Sequence, residues 1–407
     1  MKKFIYTLVV LLFTVSLNAQ WEPDVRLTNA SGTSYTVSNW CIAANKNLVH
    51  VVWQDSRDGN YEIYYKRSTD SGVTWGSDTC LSNNTADSYS PTIACSGSNV
   101  HIVWEDTRNG NGEIYYKRSS DDGANWGTDT RLTNAIYVSE YPSIAVSDSL
   151  VLVVWDDYRD GNYKIFYKRS TDGGINWGVD SRLSNTSENA WYPAITISGS
   201  NVHVVWDDIR DGNDEIYYRR STNGGYTWTI DTRITYNSSW SQFPSVAANG
   251  SLVHVVWYDY RDVNDEIYYK RSTNGGITWG LETRLTNNID YSEYPSIAVS
   301  GSLLHLVWID TRDGNPEIYY KHSTDSGINW GADTRLTNYF AESSFPSIAL
   351  SGSIVHVVWK EGRNGNFEIY YKRNPTGNPT GIQNISTEIP SAFSLSQNYP
   401  NPFNPTT

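Results

Sequence analysis

The chain has 407 residues, with 44 acidic against 31 basic side chains and a net charge of −13. So acidic a balance cannot offset phosphate repulsion, which excludes a basic nucleic-acid binder. With 17 Trp and 30 Tyr but 1 Met, the composition fits an all-β protein filled with aromatic side chains rather than a helical one.

In chain order, Met1-Lys2-Lys3 precedes an apolar run over 4–17, and Ala19 stands before Gln20. A charged start, a short apolar stretch and a small residue predict a signal peptide over 1–19. The run falls below the roughly 18–20 residues that cross a bilayer, and no later segment approaches that length. The mature chain is therefore expected to be exported, with no membrane span. Cys41, Cys80 and Cys95 belong to no CxxC or Cys/His cluster, so no metal site is read from them. One disulfide or three buried thiols both remain open.

Trp53, Trp104, Trp155, Trp206, Trp257, Trp308 and Trp359 follow one another at intervals of 51 residues. A fixed period of this length marks a repeat array. In six of the seven units a Pro (Pro91, Pro142, Pro193, Pro244, Pro295, Pro346) opens an apolar run, and in all seven an apolar run ends in the Trp. A polar turn, mostly Asp-Gly or Asn-Gly, leads into a segment such as Glu62-Ile-Tyr-Tyr-Lys-Arg67, and a further turn leads into Arg-Leu-Thr-Asn. Four short strands per unit, joined by hairpin turns and repeated radially, predict a seven-bladed β-propeller of four-stranded antiparallel blades over 20–373. Copies of the fourth strand begin at Arg26, Cys80, Arg131, Arg182, Arg233, Arg284 and Arg335, one unit ahead of the others. The copy behind the signal peptide is thus expected to complete the last blade and remove an open edge.

Strand parity puts the second-to-third turns and the fourth-to-first loops at one end of the ring. The turns carry Asp55 with Arg57, Asp106 with Arg108, Asp157 with Arg159, Asp208 with Arg210, Asp259 with Arg261, Asp310 with Arg312, and Glu361 with Arg363. A ring of guanidinium groups suits bidentate recognition of carboxylates or acidic sugars. The competing reading is a brace, each Arg pairing with its own Asp or, across the hairpin, with Glu62, Glu113, Glu215, Glu266, Glu317 or Glu368. The loops carry Trp191, Trp240, Tyr137 and Tyr291 with Glu140, Glu188, Glu293 and Glu342, aromatic platforms beside carboxylates as sugar faces and hydroxyls require. His50, His101, His203, His254, His305 and His356 recur three residues before the Trp, with Leu152 in the third copy. One per blade and replaceable by Leu, they read as strand residues and not as metal ligands.

At the other end, Ser68-Thr-Asp70-Ser-Gly72-Val-Thr-Trp75 recurs, with Asp121, Asp172, Asn223, Asn274 and Asp325 in the acidic place and Trp126, Trp177, Trp228, Trp279 and Trp330 closing the turn. The role read for it is structural: the side-chain oxygen caps backbone amides, Gly takes a conformation other residues resist, and Trp plugs the gap between sheets. Asn keeps those hydrogen bonds without the charge. These turns resemble the Asp-box, or bacterial neuraminidase repeat, family, and the resemblance implies the sialidase-like propeller superfamily. Sialidases of that superfamily clamp a substrate carboxylate with three arginines, one of them in a Phe/Tyr-Arg-Ile-Pro stretch. Here Tyr141-Pro-Ser-Ile, Tyr192-Pro-Ala-Ile and Phe345-Pro-Ser-Ile place no Arg before the Ile. Nearly interchangeable units also lack the unlike residues that one catalytic centre needs. No catalytic residue and no cofactor is assigned. The expected function is a non-catalytic module binding glycans or surface proteins, with a sialidase-type exo-glycosidase and a purely structural extracellular module as alternatives.

Beyond Arg373, residues 374–392 are a Pro/Gly/Thr-rich linker. Residues 393–407, Phe393-Ser-Leu-Ser-Gln-Asn-Tyr-Pro-Asn-Pro-Phe-Asn-Pro-Thr-Thr407, resemble the opening of the C-terminal sorting domain of Bacteroidetes type IX secretion cargo. That resemblance implies the type IX machinery as a partner and release outside the cell or display at its outer-membrane surface.

Overall fold

The computed structural model describes residues 21–36 and 40–377. The signal peptide, nearly all of the linker and the sorting segment read from the sequence lie outside these residues. Seven antiparallel sheets of four strands form a closed ring, a seven-bladed β-propeller. The third blade is representative: Ser139–Ser147 at the axis, then Leu150–Asp157, Lys164–Ser170 and the short outer Ser181–Arg182. The first strands of successive blades face one another around the channel.

The repeat Trp is what the blades pack on. All seven have zero exposure, and each lies in an apolar cluster shared with a neighbouring blade, as Trp206 does with Val154 and Ile165. Burying one such side chain contributes on the order of 3 kcal/mol. The indole N–H of Trp53 is satisfied by Asp55 at 2.9 Å, an arrangement repeated in every blade. The histidines are strand residues that accept or donate at Nδ1 to a tyrosine hydroxyl of the same blade, at 2.7 Å in all six copies. Burial lowers His50, His101, His203 and His254 to about 4, so they are neutral in the folded chain.

The Ser-x-Asp-x-Gly-x-x-Trp turns knit adjacent blades. Each Ser Oγ accepts the Gly N–H at 2.8–3.0 Å. The Asp or Asn Oδ1 accepts the amide four residues on at 2.8–2.9 Å, so Asn223 and Asn274 cap the turn as the aspartates do. The closing Trp meets a tyrosine of the preceding blade edge-on, with centroids 4.9–5.2 Å apart. Gly72 combines φ +84° with a tyrosine hydroxyl, Tyr371 Oη, 1.9 Å from where a Cβ would stand, so no other residue fits there.

Closure follows the displaced fourth strand. Val25–Arg26 pairs with Tyr370 and Tyr371 of the seventh blade. Asp24 binds Arg363 and Lys372, both at 2.8 Å, as Asp78 binds Arg57 and Lys66 in the first blade. Trp21 stands edge-on to Tyr320 at 4.9 Å, taking the place that a turn Trp holds on every other blade. The amino-terminal segment thus supplies the strand, the acid and the Trp that the seventh unit lacks.

Candidate functional site

Every arginine of the turn ring is bound by carboxylates. In six blades the Arg Nη2 lies 2.5–2.6 Å from its own Asp. A second nitrogen reaches Asp78, Asp129, Asp180, Asp231, Glu282, Asp333 or Asp24 at 2.6–3.1 Å. The guanidinium carbon stands over an aromatic ring of its own blade, 4.1–4.4 Å from the centroid. Burial disfavours charge on Asp55, yet bonds from Arg57, Ser34 and Trp53 hold its pKa below the usual range. The partner across the hairpin differs from the sequence expectation. Glu113, Glu215, Glu266, Glu317 and Glu368 are held instead by the fourth-strand Arg131, Arg233, Arg284, Arg335 and Arg26 at 2.6–2.8 Å. That pairing satisfies them without drawing on the turn arginines.

The feature that breaks the repetition lies at the axis. The repeat Pro does not open the first strand but sits inside it, at a β-bulge such as that between Glu140 and Ser143. The residue before it takes φ between 49° and 52° in Ser90, Tyr141, Tyr192, Phe243, Tyr294 and Phe345. Bulky residues resist this left-handed conformation, and such strain gathers at functional positions. Here it turns five rings inward into one arc. Tyr141 meets Tyr192 at 5.0 Å, Tyr192 stacks on Phe243 at 4.1 Å, and Phe243, Tyr294 and Phe345 continue at 4.9 and 4.8 Å.

The first blade closes the collar differently. Five residues, 36–40, join Tyr35 to Cys41 where two residues suffice in the second blade. Trp40 stands where the other copies have Pro, and it packs against the cluster of Ala194 and Val246 on the far side of the channel. Its carbonyl accepts Ile93 N–H at 3.0 Å. The collar and Trp40 line an open cavity of about 70 Å³.

Around the collar, the position after the repeat Trp varies from blade to blade: Gln54, Glu105, Asp156, Asp207, Tyr258, Ile309 and Lys360. Gln54 and Asp207 accept the strained amides of Ser90 and Phe243 at 3.0 and 3.1 Å. Asp156 is fully buried and finds no partner beyond its own amide. Burial, then the charges of Glu140 and Glu105, push it well above the usual carboxylate range. Burial and the nearby Glu140 and Asp106 push Glu105 up to about 8, and burial with Asp265 pushes Glu293 up to about 7. The seventh blade adds a cation, because Lys360 Nζ lies 4.3–4.9 Å above the rings of Phe367, Phe345 and Tyr35.

The aromatic loops surround this mouth. Trp191 pairs across the strands with Asp207 and faces Tyr163 at 6.2 Å. Trp240 is 57% exposed beside Tyr260. Sequence reasoning missed the collar, Trp40 and the acids after the Trp. Two signals pointed to them: the absent seventh Pro at Trp40, and a divergent residue directly after an unvarying one.

No protein-family model and no curated protein matches the chain. Among solved structures, the polysaccharide lyase Uly1 superposes with a TM-score of 0.61 at 9% identity, covering 88% of this chain and 99% of its own. A polysaccharide lyase of the PL25 family, an ulvan lyase, gives 0.60 at 12% identity over 84% and 94%. Trypanosoma rangeli sialidase gives 0.52 at 11% identity over 86% of this chain and 59% of that one. At these identities the likeness is one of fold, the propeller shared by sialidases and polysaccharide lyases.

Proposed function

We propose that this chain is an exported propeller that binds glycan at the axial mouth without cleaving it. The observation that carries the reading is the strained collar: five rings turned toward one axis against a backbone conformation that opposes them. Flat rings beside carboxyls match the apolar faces and hydroxyls of a sugar. Carbohydrate-active neighbours of the same fold support a saccharide ligand, and the leader and tail support export. Because each turn Arg is bound by carboxylates of its own blade or of the closing strand, the ring of Arg57 to Arg363 serves as bracing in this reading.

The test is binding of the full chain to an immobilised glycan array, alongside Phe243→Ala, with sugar release from a mixed glycoprotein followed over hours. Retention by the wild type that Phe243→Ala loses, with no release, is the expected result. Absence of binding to every glycan refutes the reading. A hydrolytic second reading is favoured by Glu105, whose carboxyl burial and Glu140 push up to about 8, in the direction a general acid requires. Sugar release abolished by Glu105→Gln would establish it over the binding reading.

A further inference from the structure

Resting on that reading, we infer that the axial site selects saccharides bearing a free amine, an ammonium entering the collar between Tyr141, Tyr192 and Phe243 while the sugar lies on the rim. The fold already displays the chemistry once. On the seventh blade an ammonium, that of Lys360, sits above Phe345, a member of the same collar, and is paired with Glu342 at 3.4 Å. Ring faces attract cations through their quadrupole, more strongly when water is excluded.

The opposite arc has the rings and the acids, but no ammonium stands above its rings among the described residues. Asp156, fully buried with both carboxylate oxygens lacking side-chain partners, stands across the strand pair from Glu140, the residue before Tyr141. Glu140 and Asp156 thus put two carboxyls on adjacent strands beside the Tyr141 ring. A buried carboxyl without a donor costs free energy that an arriving cation would offset. An acidic sugar would meet carboxyls at this mouth, while the turn arginines are committed to their braces.

The experiment is calorimetric titration of the full chain with three trisaccharides: fully de-N-acetylated glucosamine, N-acetylglucosamine and galacturonic acid. The expected order is glucosamine tightest by at least about tenfold, ~1.4 kcal/mol. Glu140→Gln and Asp156→Asn should each shrink that preference to under about threefold. Tyr192→Ala should abolish binding of all three, with circular dichroism confirming the fold of each variant. Should a variant not fold, the wild-type order alone decides. Equal affinity for glucosamine and N-acetylglucosamine, or preference for the uronic acid, overturns the amine inference and leaves the glycan reading standing. No affinity for these three or for any arrayed glycan overturns both.

Discussion

Arg312→Ala separates brace from ligand in one variant. Asp310 has no side-chain exposure and Arg312 has 25%. Arg312 gives this carboxylate Nε at 2.8 Å and Nη2 at 2.5 Å, sends Nη1 to Asp333 at 2.8 Å, and covers Tyr319 at 4.4 Å. Removing one partner of a fully buried pair costs about 3–5 kcal/mol. Here Asp310 keeps Trp308 Nε1 at 2.9 Å and Ser292 Oγ at 3.0 Å, and water can enter the vacated rim. The worked loss is therefore roughly 3 kcal/mol, including ~0.5 for the ring contact. Urea unfolding followed by Trp fluorescence should show a midpoint lowered by roughly 0.5–1 M. Glycan affinity per folded molecule should be unchanged. A loss under about 1 kcal/mol together with a tenfold fall in affinity would refute the brace and restore Arg312 to the ligand.

Val263 holds φ +79° at the turn position where Gly212 and Gly314 have +97° and +92°, and it is 83% exposed. Val263→Gly should therefore stabilise by about 1 kcal/mol, relief of left-handed strain exceeding the entropic cost of glycine, whereas Gly314→Val should cost a similar amount. Denaturation midpoints moving the other way would contradict this. His101, lowered by burial to about 4, binds its proton in the unfolded chain below pH 6.5 but in the folded chain only below 4. Its stabilisation is thus present above 6.5 and lost as pH falls toward 4, and His101→Leu should flatten the stability profile there by about 1 kcal/mol per pH unit. Superimposable profiles would refute the assignment. Glu105, raised to about 8, runs oppositely: its stabilisation is present below the ordinary carboxylate range and lost as pH rises through 8. Glu105→Gln should accordingly raise stability at pH 9 relative to wild type. Trp21→Ala should cost about 2–3 kcal/mol, as removal of a packed aromatic does, and a thermal midpoint unmoved by it would show that closure does not depend on this residue.

The blade architecture and its closure were legible because they rest on chemistry repeated in every unit. The Trp at intervals of 51 residues, the Gly turns and the displaced Arg26 strand each state a local requirement that recurs. The collar was not legible for a physical reason. Tyr141-Pro and Phe243-Pro read as ordinary strand starts, since a residue before proline favours extended backbone. The bulge that inverts φ there comes from pairing with the neighbouring strand, a tertiary constraint absent from the dipeptide. Asp156 and Asp207 carry no repeated signal, because the residue after the repeat Trp differs from blade to blade. Strand alternation puts the second of each Asp-Asp pair on the face of the repeat Trp, as Asp157 with Trp155, and the first on the opposite face, where Asp207 meets the Phe243 amide of the next blade.

The same alternation explains how a nearly sevenfold object can hold one site. Residues whose partners lie in their own blade, such as Asp310 with Trp308 and Arg312, are repeated because each blade must solve the same packing problem. Residues at the collar meet unlike neighbours from other blades, as Asp207 meets the Phe243 amide, so a change in one copy need not be matched in the rest. Trp40 uses that freedom: its side chain packs against the cluster of Ala194 and Val246 and the blade behind it is unaltered, with Leu48–Asp55 and Glu62–Ser68 in standard register. A specific site can therefore be written at the axis without disturbing the braces at the rim. Loss of ligand binding by collar substitutions should accordingly come with little loss of stability, the reverse of what the arginine ring should show.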